Sequence, residues 1–429
     1  MEATEAVERK ANVRRPSAWR SVLMFLSIVG PGMITANLDN DAGGIATYSQ
    51  AGAQFGYGFL WTLIPITVAL IVVQEICLRL GAVTGKGLGD LIRERFGVRT
   101  TILVMIGLVL TNLFTTVAEF AGIAWSCDLF NPYAKFVAVP IAAVFVAALV
   151  LRGNYKAVEK VFLFACLVYV TYIMSGILAH PDWHQVLLAT VLPNVHWTVA
   201  YVLVFLGVLG TTITPWMQFY IQSSIVEKGV KAREMKYSRI DVVTGCLMTD
   251  VVAYFIVVAC GATLYAHGIT NITTAADAAR ALAPLAGKYA EILFVIGLAN
   301  ASLFAASVLP LSTAYTVCEA LGFESGVGKS ISDAPVFYAL YLSLIVLGAL
   351  PVLIPNAPLF TIIFYSQVVS GMLLPVIVIA MLRLVNDRHL MGKYVNGPIF
   401  NVVAWATAGV AIVATIVSIG AALLHVGAT

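Results

Sequence analysis

The feature that most constrains this chain is the recurrence of uninterrupted apolar runs about 20 residues long, the length that crosses the hydrocarbon core of a bilayer as a helix. Composition agrees: 60% of the side chains are hydrophobic and 11% charged, where a soluble domain carries roughly a quarter charged residues. A transmembrane barrel is excluded because its segments are about ten residues long and alternate in polarity. A net charge of +3 spread over loops excludes a nucleic-acid binder and a disordered chain.

Apolar windows place spans at residues 22 to 54, 58 to 82, 101 to 127, 136 to 152, 158 to 180, 198 to 224, 242 to 266, 289 to 320, 334 to 354, 358 to 382 and 398 to 424. Eleven helices in an all-α integral membrane protein follow. With residues 1–21 cytoplasmic, the inner segments hold five Lys/Arg at the N-terminus, five from Arg79 to Arg99, three from Arg152 to Lys160, five from Lys228 to Arg239, Lys329, and three from Arg383 to Lys393. That is 22 of the 25, leaving Lys135, Arg280 and Lys288 outside. The positive-inside rule then predicts the N-terminus inside and the C-terminus outside, in a plasma (inner) membrane. The run from Val22 continues through Gly30-Pro31-Gly32 without a small-x-small cleavage site, so it reads as a span rather than a signal peptide.

Two spans are interrupted, the first by Asp39-Asn40-Asp41-Ala42-Gly43-Gly44 and the sixth by Gly210-Thr211-Thr212-Ile213-Thr214-Pro215. Proline removes a helical donor and paired glycines weaken the helix, so both stretches release carbonyls at membrane depth. Irregular backbone there is tolerated only where it lines a buried or watery cavity. Breaks in the first and sixth positions form the pattern of an inverted five-plus-five repeat, residues 22–180 and 198–382 with 398–424 appended, whose substrate site lies between the breaks. Taken singly, either break also reads as a plain kink.

A carboxylate inside a bilayer costs at least about 2.5 kcal/mol by insertion scales. Asp39, Asp41, Glu119 and Asp250 fall at mid-span, and no Lys or Arg falls beside them, so a bound cation is the natural counter-charge. Glu75 and Glu319 fall near cytoplasmic helix ends, where solvation is cheap. Around Asp41 the donors are all oxygen: its carboxylate, the released carbonyls, and the hydroxyls of Thr211 and Thr214. Such donors suit Mg²⁺, Ca²⁺ or Na⁺, and a single carboxylate with room at Gly43 and Gly44 suits Mg²⁺ that keeps its waters. The six cysteines, Cys77, Cys127, Cys166, Cys246, Cys260 and Cys318, lie in or at the ends of apolar runs with no CxxC pair and read as small buried hydrophobes. The six histidines fall in loops or at span ends. No resident cofactor is implied.

These residues resemble the Nramp family of divalent-metal transporters. Asp41-Ala42-Gly43-Gly44 with Gln50-Ala51-Gly52 and Phe55-Gly56-Tyr57 is similar to the family's DPGN segment and its sequel. Gly210 to Trp216 is similar to GATVMPH, Thr115 to Phe120 to TDLAEF, and Ser366-Gln367-Val368-Val369 with Leu374-Pro375 to SQVV and LP. The resemblance implies the amino-acid transporter fold, and a metal site at Asp41, Gly44, Thr211, Thr214 and Gln367. Asp39, Thr212, Glu119, Trp216 and Asp250 are candidates for its cavity or pathway. Gln367 either hydrogen-bonds a metal-bound water or links helices.

The departures shift the expected ion. The family's asparagine is Gly44, its alanine Thr211 and its methionine Thr214; loss of the thioether removes the soft ligand, and two hydroxyls add hard donors. The pattern resembles the Nramp-related magnesium transporters, or else drifted positions in a manganese transporter. The family's proton-linked positions read Thr116, Trp216 and, from Pro335 to Leu353, no arginine, so Glu119 is expected to lack titratable neighbours and transport to run without strict proton coupling. The alternatives are a proton-coupled Mn²⁺/Fe²⁺ importer and an amino-acid or organic-solute carrier, whose substrate carboxylate Asp39 and Asp41 would repel. HExxH, GxSxG and Walker signatures are absent, so no enzyme is expected. A monomer is expected, its partners being the ion and the lipid bilayer. Asn271-Ile272-Thr273 fits a glycosylation triplet on an outer loop.

Overall fold

The computed structural model describes residues 38–151 and 166–424. Residues 22–37 of the first predicted span, the opening of the fifth, the five N-terminal basic residues, Arg152, Lys156, Lys160 and His425 lie outside the described residues. Within them the chain is all helical. Helix α1 (Ala42–Phe55) runs through a 3-10 segment (Gly56–Thr62) into α2 (Leu63–Thr84). Then come α3 (Leu88–Asp128), α4 (Lys135–Leu151), α5 (Val170–Leu178) and α6 (Trp183–Val191). The second half contains α7 (Val199–Thr212), α8 (Pro215–Glu227), α9 (Met235–Thr263) and α10 (Ala290–Leu321). It closes with α11 (Pro335–Ala349), α12 (Leu359–Val385) and α13 (Pro398–Leu423).

Helix occurs in each of the eleven predicted windows. Eight stretches among the described residues are long and apolar enough to cross a membrane, one of them, Ala42–Thr84, holding two predicted windows. Helix α4 is a shorter apolar helix of 17 residues, and α5 has nine. Side chains such as Leu103, Ile106, Val402 and Ile416 are exposed on the outer faces, where lipid takes the place of a protein core.

Helix α3 is the central pillar, packed along α10 and α12, while α1 sits against α9, α7 and α12. Small residues permit these approaches, as they do between helices in membranes generally. A Cβ on Gly43 would run into the Gln367 amide, and one on Gly210 would lie 2.9 Å from the Cα of Gly371. Thus α12 is pressed onto the start of α1 and the end of α7 together.

Two boundaries differ from expectation. The segment taken as a cytoplasmic loop after Lys86 is helical from Leu88, and the chain turns at Gly97 (φ 79°) before entering the predicted span. The outer connections carry helices of their own, α6 and a capped turn at Ala275–Ala279 in which Thr274 and Asp277 satisfy each other's backbone donors.

Candidate ion-binding site

Both predicted interruptions are present, each shorter than the sequence suggests. In the first, Asp39 and Asn40 form a turn and Asp41 is extended (φ −67°, ψ −169°), after which the helix starts at once. Gly43 and Gly44 therefore belong to the first turn of α1 rather than to the break. The reason is capping: the Asp41 carboxylate accepts the Gly44 N–H at 2.8 Å, satisfying a donor that a helix start leaves open. In the second, only Ile213 (φ −117°, ψ 58°) and Thr214 (φ −64°, ψ 137°) leave helical geometry, and Pro215 opens α8 as its first residue. Gly210, Thr211 and Thr212 remain in α7.

Asp41 is buried at 4% exposure, and the end of the α1 dipole points toward it. Its nearest acidic neighbour is Glu119 of α3, fully buried, whose Oε2 accepts the Ala42 N–H at 3.4 Å. The Ala42 contact sets the Glu119 carboxyl at the same helix start that Asp41 caps. The expectation that Glu119 has no titratable neighbour is thus corrected: the α3 register turns it onto the α1 break. Its Oε1 makes no hydrogen bond to the protein.

The other predicted side chains divide. Thr211 and Thr214 are both buried, and the Thr214 hydroxyl has no protein partner. The carbonyl of Thr214, released by the break, accepts instead from Gln218 Nε2 at 3.2 Å. Gln367 packs on Gly43, donates to Ser366 Oγ at 3.1 Å, and leaves its amide oxygen unpartnered. Trp216 is buried with its indole N–H unpartnered and its ring edge-on to Tyr220. Thr212 is otherwise committed: its hydroxyl donates to Val208 O at 2.8 Å and lies 2.7 Å from the Tyr48 hydroxyl. It ties the two broken spans together, its hydroxyl engaged on both sides.

Asp39 and Asp250 are both buried, at 2% and 4% exposure, on segments joined by the Asn40–Thr249 hydrogen bond. Neither Asp39, Asp41, Glu119 nor Asp250 makes an ion pair, among the described residues. Among those residues, too, no three of His, Cys, Asp and Glu converge as a metal-holding group. Any ion held here therefore takes one or two carboxylates and completes its shell with hydroxyls, carbonyls and water, a donor set suited to hard cations.

Sequence reasoning missed Tyr48, Asn40 and Thr249. Tyr48 stands seven residues past Asp41, two helical turns along the same face, a spacing that could have flagged it. The Asn40 amide donates to Thr249 Oγ1 at 2.9 Å across 209 residues, which no local pattern could reveal.

Near the other end of α2, Glu75 is held by two arginines. Its Oε2 accepts from Arg79 at 2.7 Å and its Oε1 from Arg239 of α9 at 2.7 and 2.8 Å. Arg79 also clasps Tyr394 O, Val395 O and Asn396 between α12 and α13. Glu75 is thus structural, as its position near a helix end suggests.

An all-helical chain with one helix broken at Ile213–Thr214 and buried acids at the irregular start of α1 has the amino-acid transporter class of fold, which its likeness to solved transporter structures shows. The chain is a member of the Nramp family: residues 32–421 match the family described as natural resistance-associated macrophage protein-like. It is similar to the divalent metal cation transporter MntH of Deinococcus radiodurans, 25% identical over 411 residues covering 93% of this chain and 90% of that one. It is likewise similar to the MntH of Ralstonia nicotianae, 28% identical over 414 residues covering 93% and 91%. Among solved structures, a crystal structure of the Eremococcus coleocola manganese transporter superimposes with a TM-score of 0.76 at 20% identity, covering 95% of this chain and 89% of that one. Its relatives are metal-ion transporters and not enzymes.

Proposed function

We propose that this chain is a multi-pass carrier of divalent metal cations working by alternating access, with partly hydrated Mg²⁺ as its preferred ion. The observation that carries the reading is the donor chemistry at the breaks. Asp41 offers a carboxylate, and where the family places a methionine Thr214 offers a buried hydroxyl with no other partner. Thr211 and the free amide oxygen of Gln367 extend an oxygen-only set. Mg²⁺ sheds water reluctantly and is held through few protein ligands. The expected room at Gly43 and Gly44 is not open space: a Cβ on Gly44 would run into the Asp39 carbonyl and one on Gly43 into the Gln367 amide, so any retained waters must sit on the Thr211 and Thr214 side of Asp41. Soft-ion selectivity needs sulfur or imidazole, and neither is offered at these positions.

In this reading residues 22–180 and 198–382 are the inverted repeats, residues 1–21 lie in the cytoplasm, the C-terminus lies outside the plasma membrane, and one chain suffices. Movement is driven by the membrane potential, about 2.3 kcal/mol per charge per 100 mV, without strict proton coupling. Thr116 supports this: it occupies a proton-linked position of the family, and its hydroxyl is spent on Asn112 O at 2.7 Å.

A second reading, a proton-coupled Mn²⁺ or Fe²⁺ importer, has specific observations in its favour. The relatives above carry the names MntH and manganese transporter. Glu119 beside Asp41 also gives the empty site a pair of carboxyls able to share one proton and release it to an arriving dication. Competition separates the two. With protein in liposomes, Mn²⁺ uptake that excess Mg²⁺ suppresses supports the first reading, and uptake indifferent to excess Mg²⁺ overturns it.

A further inference from the structure

Asp39 and Asp250 are not needed by the site just described, and among the described residues no basic side chain pairs with them; the hydroxyls of Thr249 and Thr67 are their polar neighbours. All four of their carboxylate oxygens lack a hydrogen-bond partner. The charges that act on Asp39 are those of Asp250 and Asp41, both of its own sign. The hydrogen bond from Asn40, next to Asp39, to Thr249, next to Asp250, holds the segments that carry the two acids side by side. Tyr48 spends its hydroxyl on Thr212, and the Cys246 thiol donates to Gln74 Oε1 at 3.2 Å. Asn40 supplies an independent sign of a ligand. Its Nδ2 is pinned to Thr249, the residue before Asp250, while its Oδ1, at 1% exposure for the residue, has no partner. Two acids and an amide oxygen, all unpaired and out of water, are a costly arrangement unless something positive completes it.

We propose that Asp39, Asp250 and the side-chain oxygen of Asn40 form a second divalent-cation site, next to the one at Asp41 and separate from it. The proposal rests on the reading of the chain as a divalent-cation carrier. Glu119 stands on the Asp41 side, its Oε2 accepting the Ala42 N–H at 3.4 Å, while Asn40 is tied to Thr249 beside Asp250, and among the described residues no three of His, Cys, Asp and Glu converge, so each side can take its own hydrated ion. The oxygen donors fit a hard cation, and the thiol of Cys246 stands by without ligating because it is engaged by Gln74. Two dications in adjoining sites repel, so filling the second loosens the first; conduction through multi-ion filters uses the same device to combine binding with release. Asp39, two residues before Asp41 on irregular backbone, makes the handover short.

The test counts ions on the full-length purified protein. Equilibrium dialysis against Mg²⁺, with bound metal measured by atomic emission, is expected to find two ions per wild-type chain. Asp250→Asn and Asp39→Asn are each expected to lose one ion while keeping the other, Asp41→Asn to lose the other one, and Cys246→Ser to lose none. Unchanged stoichiometry in both Asp250→Asn and Asp39→Asn overturns the second site. Unchanged stoichiometry in Asp41→Asn alone overturns the principal site and leaves this one standing. Should the carboxylate variants fail to fold, wild-type protein saturated with Mn²⁺ decides by magnetic resonance: dipolar coupling between two bound ions is expected, and a spectrum of isolated ions overturns the proposal.

Discussion

Replacing Asp41 by asparagine removes one charge and almost nothing else. Asparagine caps helices as well as aspartate does, so its side-chain oxygen can keep the 2.8 Å contact with the Gly44 N–H. The loss of stability is therefore expected to stay below about 1 kcal/mol, and removing a charge beside Glu119 and Asp39 acts in the opposite direction. The effect on the ion is far larger. Two unit charges about 4 Å apart interact by roughly 4 kcal/mol at an effective dielectric constant of about 20, and a dication doubles this to roughly 8. Rehydration of the ion and neighbouring donors return much of that figure. Keeping about a third leaves nearly 3 kcal/mol, or about 100-fold in affinity at 1.4 kcal/mol per tenfold. Calorimetric titration of Mg²⁺ into Asp41→Asn protein, beside a thermal melt of the same preparation, reads both quantities. An affinity within about threefold of wild type, with the melt unchanged, would refute the assignment of the ion to Asp41.

Other residues give separate expectations. Thr214→Met restores a thioether in place of the unpartnered hydroxyl and is expected to move preference toward Mn²⁺ by about tenfold or more; unchanged Mn²⁺/Mg²⁺ competition would mean that side chain faces away from the ion. Thr212→Val cuts the 2.7 Å link to Tyr48 and is expected to cost about 1 kcal/mol in a thermal melt with selectivity unaltered. A changed selectivity would put Thr212 in the ion's shell after all. Glu75→Gln leaves the buried Arg79 guanidinium without its acid and is expected to destabilise by about 3 kcal/mol while ion affinity stays the same.

The apolar spans were readable because charge is excluded from the bilayer; the sidedness expected from 22 of 25 basic residues falling on one side of them remains part of the proposal. The two breaks were readable for a related reason, since acids and Pro215 at mid-span have few structural excuses. Their edges were not. Whether Gly43 is loop or helix depends on the Asp41 cap, a hydrogen bond worth about 1 kcal/mol that a propensity argument for glycine ignores. The site's pairwise geometry was less legible still. Glu119 reaches the helix start that Asp41 caps, and Asn40 meets Thr249 across 209 positions, contacts set by how α3 and α9 rotate against α1. Composition shows that these groups are buried but not which of them touch. Thr212, equal to Thr211 and Thr214 in a linear reading, is distinguished only by the tyrosine that α1 brings to it.

The central claim, that oxygen donors at the two breaks select hydrated Mg²⁺ and carry it without strict proton coupling, is tested most directly in one preparation. Purified protein in liposomes is loaded with Mg²⁺ and Mn²⁺ indicators and a pH dye, and uptake is driven by an imposed membrane potential. Mg²⁺ entry that follows the potential, with no proportionate change in internal pH, is the predicted result. Mn²⁺ entry that ignores excess Mg²⁺ and brings protons in fixed proportion would contradict it.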